Sequence, residues 1–457
     1  MFINTQAGFR GISKIYKEFQ KYFEIQAVSF CCIRQWVLRL GYGLLNLEVE
    51  KRTDWIYILD FSIQLGKEKC LLILGVTIES VLKYGHELKH QQVRVLDIFV
   101  QEHFDGQSVK DRLSIVREKT GTPFQVISDN GNDVRKGVDL FCQENTTVID
   151  TYDITHMIGI CIKHKLEKDE RWLNLQDDLR CLTQQTKQSD VSFLRPIALS
   201  KKARWLNIKN EINWLGDIYA YEEKADFHLI STGIKIQNTE EIFEKNKANC
   251  INKYQQKHLE KDLNNTVFEN REDINILLGK YNIDVNEKIE TIDAGKARFE
   301  EKFAVLKKHK QYFLELKELN EMAENIKSIV KSKGLSLDTF QLVELEYNKI
   351  NYNWVKQIFY DINNRLIAEH SKCGIYSKPI LCCSDIIESI FGKFKMKANQ
   401  AVGGIYETVL SIALFCSNLT EELITEILTK VKMADVENWF KQMAGVSNLA
   451  KRRIAFG

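Results

Sequence analysis

The stretch that most restricts this chain is Trp55-Ile56-Tyr57-Ile58-Leu59-Asp60-Phe61, an aromatic and β-branched run that carries a single carboxylate near its end. Such a run reads as a strand buried on both faces of a sheet. An ionised side chain there is costly unless something pairs with it, and a divalent cation is one such partner. An Asp that merely begins a turn is the ordinary alternative. A second run of the same design, Phe124-Gln125-Val126-Ile127-Ser128-Asp129 followed by Asn130-Gly131, weakens that alternative.

Around these two strands the period of the sequence changes three times. Residues 1–50 are helical in pattern, with one helix around Gly11–Phe19 and a second at about Val28–Leu40. A short link between them suggests a helix-turn-helix whose second helix offers Arg34, Gln35 and Arg39 to DNA. An ordinary hairpin with a solvated basic face is the competing reading. The short stretch ahead of these helices suggests part of a longer DNA-binding region. From 51 to 165 the pattern gives strands at 55–61, 69–76, 93–100, 124–128 and 147–150. Helices are expected at about 108–119, 134–143 and 154–166. Three antiparallel strands followed by alternating helix and strand describe a mixed five-stranded α/β sheet with helices on both faces.

Residues 166–372 lose the strand signal and become Glu/Lys-rich with helical spacing, as expected of an all-α insertion. Within it, Lys201, Lys202, Arg204 and Trp205 interleave base and aromatic, a mixture suited to single-stranded or distorted nucleic acid. Trp205 and Trp214 are candidate stacking residues, with core packing as the alternative for each. Residues 373–457 open on a helix capped by Ser384, with a buried stripe at 386, 387, 390, 391 and 394. That helix carries Asp385, Glu388, Lys393 and Lys395.

Composition narrows the possibilities. The chain has 457 residues, too many for one core, and a net charge of only +2, so nucleic acid must be met by local patches. No apolar run is long enough to span a bilayer, and no charged-then-apolar leader opens the chain, so no membrane association is expected. The 11 Cys form no paired CxxC clusters, which favours reduced, buried thiols over a zinc site.

Asp60, Asp129 and Glu388 form a candidate catalytic and metal-binding set, since convergent carboxylates suit Mg2+. Two ions a few ångströms apart support in-line phosphoryl transfer. The acids in this order, with Glu388 after a long helical insertion, resemble the DDE transposases of bacterial insertion sequences, which have a ribonuclease H-like fold. Asp153-Ile154-Thr155-His156 is similar to the C/D-x-x-H signature of the Mutator and hAT groups, and the helical insertion is similar to that of the hAT group. Lys395 stands where many insertion-sequence enzymes carry a DNA-contacting lysine after the catalytic Glu. The resemblance spans roughly residues 50–400. It implies two Mg2+ or Mn2+ ions on Asp60, Asp129 and Glu388, and supporting roles for Asp153 and His156 behind the metal ligands. Lys393 and Lys395 would contact phosphates. The partners would be double-stranded DNA, both the element's terminal inverted repeats and the target, and the assembly a homodimer at a cytoplasmic, nucleoid-associated location. Departures exist: the Tyr and Arg that precede Glu in one subgroup fall at Leu381 and Ser384. Asp54 competes with Asp60, and Asp385 with Glu388. A decayed or domesticated transposase that only binds DNA, or another ribonuclease H-like nuclease, is the alternative.

Overall fold

The computed structural model describes residues 2–5, 7–65, 68–197, 208–224, 226–284, 286, 288–374, 378–398, 405–444 and 448–456. Two compact units emerge. One contains Met1–Gly159, Ala323–Lys349 and Phe359–Gly457, and the other Ile160–Met322 and Ile350–Ile358.

The first unit is built on a five-stranded sheet in the order β3-β2-β1-β4-β5. Its strands are β1 (Trp55–Leu65), β2 (Glu68–Thr77), β3 (Arg94–Gln101), β4 (Gln125–Ser128) and β5 (Ile149–Tyr152). β1, β2 and β3 form an antiparallel meander, whereas β4 lies parallel to β1 and β5 parallel to β4. This is a ribonuclease H-like sheet.

Alternation along the strands sorts their side chains onto two cores. Trp55, Tyr57, Leu59, Leu71 and Ile73 pack with Val109, Leu113 and Val116 of α3 (Gly106–Thr120) and Val134, Val138 and Phe141 of α4 (Asn132–Glu144). A fork from Arg112 to the buried Asp97, at 2.6 and 2.7 Å, ties α3 to β3. Ile56, Ile58, Leu72, Leu74 and Ile127 face the other way. They meet α2 (Phe30–Leu45), the helix Asp385–Ala398, and the helices that follow it.

α2 differs from the sequence expectation. α1 (Phe9–Phe19) and α2 are separated by residues 20–29, not by the tight link of a helix-turn-helix. Ile33, Val37, Leu38, Leu40, Leu44 and Leu45 of α2 are all in the core. Its glycines allow close approach. A Cβ at Gly41 would stand 2.2 Å from the Leu410 carbonyl oxygen, and one at Gly43 would stand 2.3 Å from a terminal carbon of Ile427. Arg39 is turned inward as well. Its Nε donates to the Val431 carbonyl at 2.7 Å, and the same guanidinium bonds the Leu428 carbonyl.

The open edge of β5 is covered. Glu369 accepts the Tyr152 N–H at 3.0 Å, and Lys372 pairs with Glu369 at 2.9 Å and with Asp150 at 3.7 Å.

The second unit is mostly helical. It also holds a two-stranded antiparallel sheet of β6 (Ile234–Ile236) and β7 (Thr291–Asp293), where the sequence suggests helices alone. Ile236, Ile242, Leu259, Leu263, Phe268, Ile274 and Leu278 form a core within it. Trp214 is buried, and its indole N–H donates to the Leu194 carbonyl at 3.2 Å, so it anchors this unit instead of offering a stacking surface. Lys201, Lys202, Arg204 and Trp205 lie outside the described residues.

Replacing Gly by Ala inside a helix ordinarily gains about 1 kcal/mol. At Gly41 the clash is with a backbone carbonyl, and overpacking costs about 1–3 kcal/mol. Gly41→Ala is therefore expected to lower the urea midpoint. Gly43→Ala, which meets the buried, β-branched Ile427 side chain, is expected to lower it as well.

Candidate active site

Asp60 is not at the end of its strand, as the sequence suggests. β1 runs on to Leu65 against β2, with a register shift between Phe61 and Ile63. What ends beside Asp60 is the parallel neighbour. Leu59 pairs with Ser128, the last residue of β4, and Ser128 pairs with Tyr152, the last of β5. The next residue on each strand is an acid, so Asp60, Asp129 and Asp153 form a row across strands about 4.8 Å apart. Asp60 shares the parity of Ile56 and Ile58, which places it on the face covered by the helix bearing Glu388.

The turn after β4 is shaped by its own side chains. Asn130 adopts φ 54°, a left-handed conformation that Asn tolerates better than most residues. One Asp129 oxygen accepts the Gly131 N–H at 2.9 Å, which is the local bond expected of an Asp in a turn.

Asp153 has a different task. It is buried and caps α5 (Ile154–Leu166), with one carboxylate oxygen accepting the His156 N–H at 2.9 Å. The other oxygen accepts the Ser384 N–H at 2.5 Å and the Ser384 hydroxyl at 2.7 Å, immediately before α6 (Asp385–Ala398). The Ile154 N–H donates to the Cys382 carbonyl at 2.8 Å. One carboxylate thus joins the starts of two helices. The Asp-x-x-His spacing follows from this: a cap that bonds the third residue of the helix fixes His156 on the first turn. His156 Nε2 then lies 3.3 Å from a Glu388 oxygen on α6.

The electrostatics agree with this geometry. Burial and then the neighbouring Asp129 charge push Asp60 up to about 7, with Glu388 adding to the rise and His156 opposing it. The bond to Glu388 leads in pushing His156 up to about 9, with Asp153 and Asp129 adding. His156 is therefore an imidazolium at neutral pH, set among acids.

Among the described residues, the set whose ligand atoms all lie within 4.8 Å of one another is Asp153, Cys383 and Asp385, not the three candidate acids. That set has structural employment. Asp153 holds two helices, Asp385 is paired with Lys331, and burial keeps Cys383 a thiol. By donor chemistry, Asp60, Asp129 and Glu388 suit a hard cation better. All offer oxygen, and repulsion already distorts the titration of Asp60.

Other candidates fall out of reach of this edge or find partners. Lys393 donates to His90 Nδ1 at 2.6 Å, and His90 Nε2 in turn lies 3.0 Å from the Ser389 hydroxyl. Lys395 is exposed two turns beyond Glu388 on α6. Arg34 is half-buried and Gln35 exposed on α2. All eleven cysteines are free thiols. No helix among the described residues is long and apolar enough to cross a membrane. Two features were missed from sequence: the cap made by Asp153 and the His90–Lys393 pair. The Asp-x-x-His run pointed to the first, whereas nothing local points to the second.

The fold and the site together define a ribonuclease H-like domain with acids clustered at the edge where its parallel strands end. No protein-family model matches the chain, and no curated protein matches it in sequence. Among solved structures, the Drosophila P element transposase strand transfer complex aligns with 90% of this chain and 90% of its own, at 11% identity and a TM-score of 0.37. A likeness this loose assigns neither residues nor activity.

Two outcomes are expected from these contacts. Asp153→Ala removes the cap of α5, worth about 0.5–2 kcal/mol, together with the two bonds that hold Ser384 ahead of α6. Its chemical-denaturation midpoint should fall far more than that of Asp129→Ala. The second outcome concerns pH. Between the ordinary Asp value and about 7, the native state holds a proton that the unfolded chain has lost, so charging Asp60 costs stability as pH rises through that window. In metal-free buffer Asp60→Asn should therefore melt above the parent by a few degrees at pH 8, with the difference vanishing near pH 4. A shift of ~1 kcal/mol moves a domain by about 2–4 °C. His156→Gln should behave oppositely: the stability supplied by its charge is complete below the ordinary His value and is lost as pH rises through about 9.

Proposed function

We propose that the protein is a DNA transposase that cuts and joins phosphodiesters where β4 and β5 end beside Asp60 of β1. The observation that carries this reading is the acid row at that end, on the face covered by the helix of Glu388, with burial first and the Asp129 charge second raising the Asp60 carboxyl to about 7.

Asp60, Asp129 and Glu388 would hold two divalent cations, Mg2+ or Mn2+. When bound, such ions activate an attacking oxygen and stabilise the leaving one in an in-line displacement. The protein's own residues do the rest. Asp153 fixes the starts of α5 and α6, so that His156 and Glu388 meet from different helices. The His156 imidazolium aligns Glu388 and offsets negative charge at the edge. Lys395, which makes no ion pair among the described residues, is left for a substrate phosphate. Two copies would bring two DNA ends together for concerted joining.

A second reading is a descendant of such enzymes that binds DNA without cutting it. The pairing of Glu388 with His156 favours it, because the third acid already has a cationic partner.

Nicking of supercoiled plasmid, and strand transfer from oligonucleotides with a free 3′-hydroxyl, separate the two. With Mg2+ or Mn2+ the parent should do both, and Asp60→Ala, Asp129→Ala and Glu388→Gln should each fall to background. His156→Gln should lose about 10–100-fold, as is usual for groups that orient a ligand. Cutting by Asp129→Ala at the parental rate, or none by the parent, refutes the catalytic reading.

A further inference from the structure

Of the three side chains that the sequence assigns to DNA on α2, only Gln35 is exposed, and it carries no charge. Arg39 is bonded to two carbonyls, and one face of α2 is committed to the core. The exposed cations of this region lie on α1 and the turn after it. Arg10, Lys14 and Lys17 are exposed and follow at i, i+4 and i+7, so they share one face of the helix. Lys21 continues the series at i+11. The chain past Phe19 keeps helix-like bonds, with the Lys21 N–H to the Glu18 carbonyl at 3.1 Å and the Phe23 N–H to the Phe19 carbonyl at 2.9 Å.

The four cations thus form a ridge about 16 Å long at 1.5 Å rise per residue. Ile12 and Tyr16 lie on the opposite side, against the protein, and Ser13, on the flank beside Arg10 and Lys17, is buried with its hydroxyl donating to the Val28 carbonyl at 2.7 Å. Lys14 and Lys17 make no ion pair among the described residues. Lys21 has only an exposed pair with Glu18 at 2.7 Å, of a kind worth little. Arg10 lies over the Phe30 ring at 5.3 Å, which steadies its guanidinium. At the ridge's end Tyr22 and Phe23 are 73% and 62% exposed, aromatic surface of the kind that bases or sugars cover.

The chain as a whole is close to neutral, so a one-sided cationic ridge is a local device and not a sample of its average surface. We propose that Arg10, Lys14, Lys17 and Lys21 form a DNA-backbone site, with α1 lying along the phosphates and α2 serving as its buried support. The proposal shares with the transposase reading only the premise that the chain binds DNA.

The test is binding of a labelled duplex in EDTA across a salt series, for the parent, for the variant combining Arg10→Ala, Lys14→Ala, Lys17→Ala and Lys21→Ala, and for Gln35→Ala. Each neutralised phosphate contributes about 0.9 to the slope of log affinity against log salt. The combined variant should therefore lose up to about 3–4 of that slope and bind at least about tenfold more weakly, while Gln35→Ala keeps both. Should the combined variant melt early, the exposed pair Lys14→Glu and Lys17→Glu gives the same readout. Parental slope and affinity in the ridge variants overturn the proposal. So does a parent that binds phosphatidylserine vesicles and not the duplex. Nicking by the parent, abolished in Asp129→Ala, alongside unchanged binding in the ridge variants would remove this site and leave the catalytic reading standing. Ridge-dependent binding without any cutting would do the reverse.

Discussion

The contact on which the candidate site depends is the carboxylate of Asp153. It leaves the end of β5, accepts a backbone N–H from the first turn of α5, and with its other oxygen accepts the N–H and hydroxyl of Ser384 at the threshold of α6. Burial would otherwise drive this group to its neutral form, and the donated bonds resist that. With the bonds from the Ile154 N–H to the Cys382 carbonyl and from the Thr155 hydroxyl to Asp385, it brings residues 156 and 388 to one place. The sheet sets Asp60 beside Asp129 by register alone, whereas Glu388 is positioned by the bonds that join the two helix starts.

The parallel pairing supplies a second constraint. β4 and β5 stop after four residues each, while β1 continues alongside β2. The result is a step in the sheet at Asp60. One side of β1 remains paired with β2, and on the other the parallel neighbour gives way at Asp129. Repulsion from Asp129 and Glu388 is a cost at Asp60, whereas Asp153 is held by structural bonds. Buried apolar side chains would stabilise the same edge better, and this is the physical reason to look for chemistry in it.

Much of this was legible in the sequence. The five strands and the helix 154–166 are visible in the apolar period, because a strand buried on both faces leaves an uninterrupted run and an amphipathic helix leaves a stripe. Asp60 and Asp129 stand out as charges in such runs. The rest was hidden because it depends on distant residues. Arg39 looks like a recognition residue until residues 428 and 431 take its donors. Trp214 looks like a stacking platform until Leu194 accepts its N–H. Lys393 looks free until His90, some 300 positions earlier, is placed against it. α2 carries exposed polar residues between its apolar ones, and only the close approach of Leu410 to Gly41 reveals a helix wedged into the core. Gly41 and Gly43, just beyond the expected helix, are the local signal of that close packing.

The screened margin of β5 has a bearing on how copies of this molecule can associate. An unguarded outer strand invites a neighbour's backbone, and many assemblies grow by that route. Here the Tyr152 amide is already taken by a glutamate that is itself neutralised by Lys372. A visiting strand would have to displace a charge-assisted bond before gaining a single one of its own. Sheet-to-sheet growth along this side is disfavoured at Tyr152.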